Sequence, residues 1–296
     1  MSAVINIVGA GRLGKTIAKL INIYDAGSIQ AVCNKSLEST RDAITFIGSG
    51  NAYSDIKELP HADITFITTP DDHIHEVAEA LALNQNYESD AIFIHCSGSL
   101  TSSVLAPLSN VASCHPMRSF ARPDLSVAEF KGTYCAIEGT TKAATKASEL
   151  FRAIGGQTYE ICADKKSLYH AAGVISSNYL VTLAHTASQC LSEAGVDDEI
   201  GMRIITNLMA GTVKNMQNTL SPQASLTGPI ARGDTETVTK HIQCMDGEMK
   251  TLYKMLGLTT LELTSLPASQ RAALEDTLSS TEESNEAEIA SPRPWI

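Results

Sequence analysis

Through about residue 162 the apolar positions come as short runs separated by stretches with a helical period. Strand-like runs cover residues 4–8, a segment ending at Cys33, then 63–69, 91–95, 111–114, 133–137 and 157–161. Between them the pattern predicts helices opening near residue 12 and over 39–46, 73–83, 102–108 and 141–154, with a short segment at 53–59 ahead of Pro60. Regular alternation of this kind describes a doubly wound parallel sheet. The pattern then changes. Residues 165–194 hold no proline, keep a helical period and stop at Gly195, a C-cap signal. Helical patterns continue over 198–220 and 234–256, and no strand is expected there. The fold class is therefore α/β, a doubly wound parallel sheet over 1–162 followed by an all-helical C-terminal domain over 163–264. Residues 265–296 read as an acidic tail, expected to be disordered apart from a short helix near 270–278.

The first strand runs directly into Gly9-Ala10-Gly11-Arg12-Leu13-Gly14, and a helix opens there. In that context each glycine has a mechanical role: Gly9 makes the tight turn, Gly11 admits a pyrophosphate to the backbone, and Gly14 lets helix and strand pack closely. The free N–H groups and positive end of the helix suit the pyrophosphate. A free ribose 2′-hydroxyl is usually met by Asp or Glu at the end of the second strand. Here the tip is Asn34-Lys35-Ser36 after Cys33, with a cation and no carboxylate. The expected cofactor is NADP(H) rather than NAD(H).

Composition narrows the class further. With 43% hydrophobic and 5% aromatic residues in 296, the chain reads as a soluble two-domain protein. No apolar run is long enough to span a bilayer and no signal peptide precedes the first strand, so a cytoplasmic location without membrane contact is expected. A net charge of −11 argues against nucleic-acid binding. The seven cysteines are scattered singly, as buried thiols in a reducing compartment are. His95-Cys96 and Cys114-His115 sit at neighbouring strand ends, but adjacent strand residues point to opposite faces, and no metal is expected. Trp295, in the last five residues, reads as a docking peptide or an untethered terminus.

Ligands in an open parallel sheet lie outside the carboxyl ends of its strands. Those ends carry Thr68-Thr69-Pro70, expected beneath the ribose and nicotinamide, and Cys96-Ser97, expected beside the nicotinamide, followed by His115 and Arg118. On the long helix His170, Val174, Ser177, Asn178 and Val181 share one face. A histidine there can give a proton to a developing alkoxide or amine, and a core histidine with satisfied hydrogen bonds would read the same. In Leu226-Thr-Gly-Pro-Ile-Ala-Arg-Gly-Asp234, Asp234 is a natural N-cap and the glycines form turns. Arg232 in that loop is a candidate clamp for a substrate carboxylate.

Gly9–Gly14, His95–Ser99, His115-Pro-Met-Arg-Ser-Phe120, the stretch from Tyr169 to Val181, and Leu226–Asp234 together resemble the Rossmann-like and DUF2520 domain-containing proteins of the 6-phosphogluconate dehydrogenase-like superfamily. The resemblance spans about residues 3–260. It implies a Rossmann domain, a helical domain that commonly makes the homodimer, and NADP-dependent oxidoreductase activity on an unspecified substrate. More distant similarity reaches ketopantoate and pyrroline-5-carboxylate reductases. In the ketopantoate register, His170 and Val174 stand where a catalytic lysine and a first asparagine belong, with Asn178 retained. Arg118 stands where the family usually has glutamine, which marks an anionic substrate or a surface charge. The resulting expectation is reduction of a small carbonyl or imine, with a carboxylate a possible substrate feature. His170 or His115 would be proton donor, Asn178 and Ser97 would position the substrate, and Arg232, Ser177 and Arg118 would bind it. The alternative is a non-catalytic NADP(H) sensor or regulatory protein.

Overall fold

In the computed structural model, which describes residues 2–280, one eight-stranded sheet carries the N-terminal half. Its strands are β1 (Val4–Val8), β2 (Ser28–Cys33), β3 (Asn51–Tyr53), β4 (Ile64–Ile67), β5 (Ile92–His95), β6 (Asn110–Pro116), β7 (Tyr134–Gly139) and β8 (Gln157–Glu160). Their order is β3-β2-β1-β4-β5-β6-β7-β8, with every neighbouring pair parallel except β6 and β7. The order reverses between β1 and β4, which places the switch-point crevice above the end of β1. Helices α1 (Arg12–Ile23), α2 (Leu37–Ile47), α3 (Ile74–Ala82), α4 (Pro123–Ala128) and α5 (Thr141–Ala153) complete this half.

The central strands are apolar on both faces, and each face has its own core. Ile17 and Ile21 of α1, Ile47 of α2 and Phe151 of α5 pack with Ile5, Ile7 and Phe66 on one side. On the other, Ile74, Val77 and Leu81 of α3 pack with Val8, Ile67 and Phe93. This double covering explains why the strands read as continuous apolar runs rather than as alternating ones.

Three details differ from the sequence pattern. β7 runs antiparallel to β6, β3 is a strand of three residues, and the 102–108 helix is only a 3-10 turn, Ser102–Leu105. Pro107 accounts for the last difference, because the residue before a proline is pushed out of the α region. The six-residue α4 opens with Pro123 at a first-turn position, where its missing N–H costs nothing.

Helix α6 (Lys166–Glu193) contains the boundary between two compact units, one running through Leu180 and one from Val181 onward. The sequence pattern had put the division at residue 162. The second unit is helical among its described residues, with α7 (Asp198–Thr219), α8 (Pro222–Ser225), α9 (Pro229–Arg232), α10 (Thr235–Gln243), α11 (Gly247–Leu261) and α12 (Ala268–Ser279). The expected single helix over 234–256 is broken at Asp246-Gly247, a turn-forming pair with Gly247 at φ +47°. Asp234 caps α10 as expected, its Oδ1 accepting from the Thr237 N–H at 3.0 Å.

The short helix expected near 270–278 is present, over 268–279, and it is packed rather than free. These residues form α12, whose Leu274 and Leu278 are buried with Val238 and Leu261. A methyl on Gly257 would lie 2.6 Å from Leu278 Cδ2, so glycine on α11 sets how closely the two helices approach. Arg271 closes the end of α11 by donating to the Leu261 carbonyl at 3.0 Å. The expectations for 281–296, Trp295 included, lie outside the described residues. Among the described residues no helix is long and apolar enough to cross a membrane.

Leu274→Ala removes a fully buried side chain from this small core, and a loss of about 2–5 kcal/mol is expected. Denaturant unfolding of the full chain checks it. A loss below half a kilocalorie would show that α12 contributes nothing to the second unit.

Candidate functional site

At the switch point the glycine loop is held by close contacts. Gly9 has φ +86°, and a Cβ there would sit 2.6 Å from Thr69 Cγ2. A Cβ on Gly14 would sit 2.4 Å from Thr68 Oγ1, and that hydroxyl donates to the Gly9 carbonyl at 2.9 Å. Gly11 differs from both. A Cβ there would have only the Gly9 carbonyl at 4.0 Å, so the space over it is open. Gly11 is the N-cap of α1 and offers no side-chain acceptor, so the first N–H groups of the helix, at Arg12, Leu13 and Gly14, are available to an anion.

The open side leads into a cleft of about 720 Å³. Gly9, Ala10, Gly11, Asn34, Lys35, Thr68, Thr69 and Pro70 line it, with Ile56 and Val77 among its apolar residues and Lys15, Ser39 and His73 among its polar ones. Thr69 Oγ1 is buried without a hydrogen-bond partner at this cleft. Backbone open to a pyrophosphate, an orphaned hydroxyl and a lysine at the β2 tip fit a phosphorylated dinucleotide.

Asn34 takes a different place from the one its position suggested. Its Oδ1 accepts from the Ala10 N–H at 2.7 Å and its Nδ2 donates to the Ser39 carbonyl at 3.0 Å, so its amide staples the glycine loop to α2. Ser36 caps α2, accepting from the Ser39 N–H at 3.2 Å. Lys35 is thereby the exposed cation of the tip.

A second cluster gathers beyond β5 and β6, where His115 and His170 flank Gly98. A Cβ on Gly98 would lie 2.4 Å from His170 Nδ1 and 2.8 Å from His115 Nε2, so only glycine fits beneath the two rings. The ring centroids are 5.9 Å apart. His115 Nδ1 lies 2.9 Å from the Tyr169 hydroxyl, while His170 Nδ1 is buried without a partner. Burial, with repulsion from His170 and Lys166 behind it, pushes the His115 pKa down to about 4. His95 is pushed down to about 3 by burial and then by Lys166. Ser97 donates to Asp71 at 2.7 Å and accepts from the Ser99 and Leu100 N–H groups at 3.2 and 3.1 Å. Beside this corner lies a smaller hollow of about 380 Å³, where His170 meets Val174, Ile175 and Tyr179.

A buried ion pair beneath the corner went unread in the sequence. Lys166, 1% exposed, donates to Glu138 Oε1 at 3.1 Å and to the Ser113 hydroxyl. The Glu138 carboxylate also accepts the Ser102 N–H and hydroxyl, each at 2.7 Å. One carboxylate thus joins β7, the Ser102 turn and the start of α6. Burial lowers the Lys166 pKa, and Glu138 opposes that shift. The sequence did contain a signal, a lone Glu inside the apolar run ending at Gly139.

The remaining candidates separate. The Cys96 side chain is in the core, and burial holds its thiol well above the ordinary range, which leaves only its backbone for a ligand. Arg118 donates to the Glu129 carbonyl at 2.6 Å and pairs with the Glu129 carboxylate, so it pins the segment after β6. Ser177 and Asn178 are exposed on α6, beyond His170. Arg232 is exposed at the end of α9 in the second unit.

Fold and topology define a Rossmann-type α/β domain followed by a helical unit. The chain belongs to the Rossmann-like and DUF2520 domain-containing proteins: the Rossmann-like domain matches residues 2–118 and the domain of unknown function DUF2520 matches 133–260. Among solved structures, protein TM1727 from Thermotoga maritima is 28% identical, with a TM-score of 0.72 over 88% of this chain and 97% of its own. A Bacteroides fragilis protein described as an NADP oxidoreductase is 20% identical, with a TM-score of 0.71 over 88% and 98%. Pyrroline carboxylate reductase from Plasmodium falciparum, solved with NADP bound, is 15% identical, with a TM-score of 0.54 over 93% and 95%. These last two are likenesses of fold. No curated protein matches the chain.

Two outcomes follow from the buried groups. Lys166→Ala leaves the buried Glu138 carboxylate without a counter-charge and is expected to cost about 3–5 kcal/mol, whereas Lys166→Met with Glu138→Gln, which removes both charges and keeps an acceptor for Ser102, recovers part of it. Urea unfolding of both variants checks this. Unfolded histidines take up protons near pH 6.5, while His115 and His95 resist until about 4 and about 3. Their contribution is therefore complete above pH 6.5 and is lost as pH falls from there toward 3. Urea midpoints between pH 7.5 and 4.5 should fall, and less steeply for His115→Gln. Identical slopes would remove His115 as a source of the acid sensitivity.

Proposed function

We propose that the protein is an NADP(H)-dependent oxidoreductase that reduces a small carbonyl or imine. The observation that carries this reading is the pair of imidazoles meeting over Gly98 at the strand ends, on the same edge of the sheet as the open Gly11 cleft. The structures of similar fold include an NADP-bound reductase and a protein described as an NADP oxidoreductase, which favours the same class.

The reduced nicotinamide, when bound, supplies a hydride to the carbon of the C=O or C=N bond. The chain's part is to meet the electron pair released onto oxygen or nitrogen. His170 delivers the proton to that atom, giving an alcohol or an amine. His115 is uncharged above about pH 4, so it acts as a neutral hydrogen-bonding neighbour and not as the acid. Tyr169 fixes its ring through Nδ1. Ser97, held by Asp71 and two backbone N–H groups, presents a fixed polar edge beside the corner. Val174, Ile175 and Tyr179 supply an apolar wall for the substrate body. With its guanidinium on Glu129, Arg118 is left out of binding a substrate carboxylate. The exposed stripe Ile200, Ile204 and Leu208, spaced four apart on α7, is the surface we assign to a homodimer.

His170→Ala is expected to lower kcat by about 10²–10⁴-fold while leaving the NADPH Kd unchanged, measured by NADPH oxidation over a panel of 2-keto acids and cyclic imines and by calorimetry. Unchanged turnover would sink the proton-donor role. Absence of turnover over the panel, with tight NADPH binding, would favour the sensor. In calorimetry NADPH should bind at least about tenfold more tightly than NADH, and equal affinities would overturn the cofactor reading.

A further inference from the structure

The cation expected to meet a 2′-phosphate does not stand alone. Lys35 Nζ lies 3.4 Å from His73 Nε2, and His73 Nδ1 lies 3.3 Å from Glu76 Oε2. Lys35 is on the β2 tip, His73 ends the 3-10 turn Asp71–His73 that follows β4, and Glu76 is in the first turn of α3. All three line the same cleft as Gly11. The polarity of this chain is fixed by chemistry. An ammonium has only donors, so Nε2 must present its lone pair to Lys35. The ring proton is then on Nδ1, where the Glu76 carboxylate accepts it. Lys35 donates to His73, and His73 donates to Glu76.

We infer that His73 is a positioning residue for cofactor choice: it holds Lys35 over the cleft where a 2′-phosphate is recognised. A free lysine loses rotamer freedom when it meets an anion, and holding the side chain beforehand removes part of that loss. The other tip residues cannot substitute for it, because Asn34 is committed to Ala10 and Ser39, and Ser36 caps α2. His73 comes from a different strand end than Lys35. Discrimination at the 2′ position is therefore shared across the switch point and does not belong to the β2 tip alone.

The inference rests on the NADP(H) reading, and one set of titrations separates the two. NADPH and NADH affinities are measured by calorimetry for the natural chain and for Lys35→Ala, His73→Ala, His73→Gln and the Lys35→Ala/His73→Ala double variant. His73→Ala should weaken NADPH about fivefold to tenfold and leave NADH unchanged. His73→Gln, which can accept from lysine and donate to a carboxylate, should restore most of the loss. In the Lys35→Ala background, removing His73 should have no further effect. Three results would each overturn the inference alone: equal weakening of both cofactors, no change in NADPH affinity, or a His73 effect that survives without Lys35. Equal NADPH and NADH affinities in the natural chain would instead remove the cofactor reading, and the inference with it.

Discussion

The loop after β1 packs against the end of β4 so closely that no side chain larger than hydrogen fits at Gly9 or Gly14. The rest of the switch-point cleft depends on that contact. Thr68 ties the loop to β4 through the Gly9 carbonyl, and Asn34 ties it to α2 through the Ala10 N–H. Two strand ends and a helix therefore hold the loop before any ligand arrives. Rigid backbone donors lose little on binding an anion, which is the advantage of building the site from the loop itself. Gly11 is left free of these contacts, so its exposure reads as access.

The histidine corner relies on a different device. Lys166 and Glu138 are buried together, and such a pair adds little net stability because desolvation offsets the Coulombic gain. Its effect here is positional. It fixes β6 through Ser113, β7 through Glu138 and the turn after β5 through Ser102, and Lys166 begins the helix that carries Tyr169 and His170. The elements that present His115, His170 and Gly98 are thus tied to one buried ion pair. Apolar residues of the same volume would fill the space without setting these elements in register.

Much of this was legible in the sequence, for reasons that differ by element. The glycine spacing identified the loop because each position has a distinct steric demand, and the structure shows those demands at Gly9 and Gly14. The alternating pattern gave the sheet because strands covered on both faces need long apolar runs. Direction was not legible: nothing in the run 133–137 distinguishes antiparallel β7 from another parallel strand. Side-chain partners were also hidden. Asn34 and Lys35 are adjacent at the same tip, yet one is turned inward to the loop and the other outward to His73. Arg118 looked like an available cation until Glu129, eleven residues on, was placed against it. The short helix of the tail was legible, but its docking was not, because composition averages over the length of the segment. Leu274 and Leu278, one turn apart, are enough to dock α12 despite the surrounding polar residues.

The polar atoms left unpaired complete the argument for where ligands act. Buried side-chain atoms without partners among the described residues are Asn6 Oδ1, Gln30 Oε1, Thr69 Oγ1, His95 Nε2, Arg118 Nε and His170 Nδ1. The last four belong to the segments that follow β4, end β5, follow β6 and open α6. An unsatisfied buried group costs about 1–3 kcal/mol, so these do not gather at one edge of a sheet by packing convenience. The buried Glu138 carboxylate, by contrast, has three donors. Most of the unpaired atoms lie at the carboxyl edge of the sheet, and Thr69 is one of them within the cleft that Gly11 opens. A ligand with matching donors and acceptors would gain at that edge what folding alone leaves unrealised.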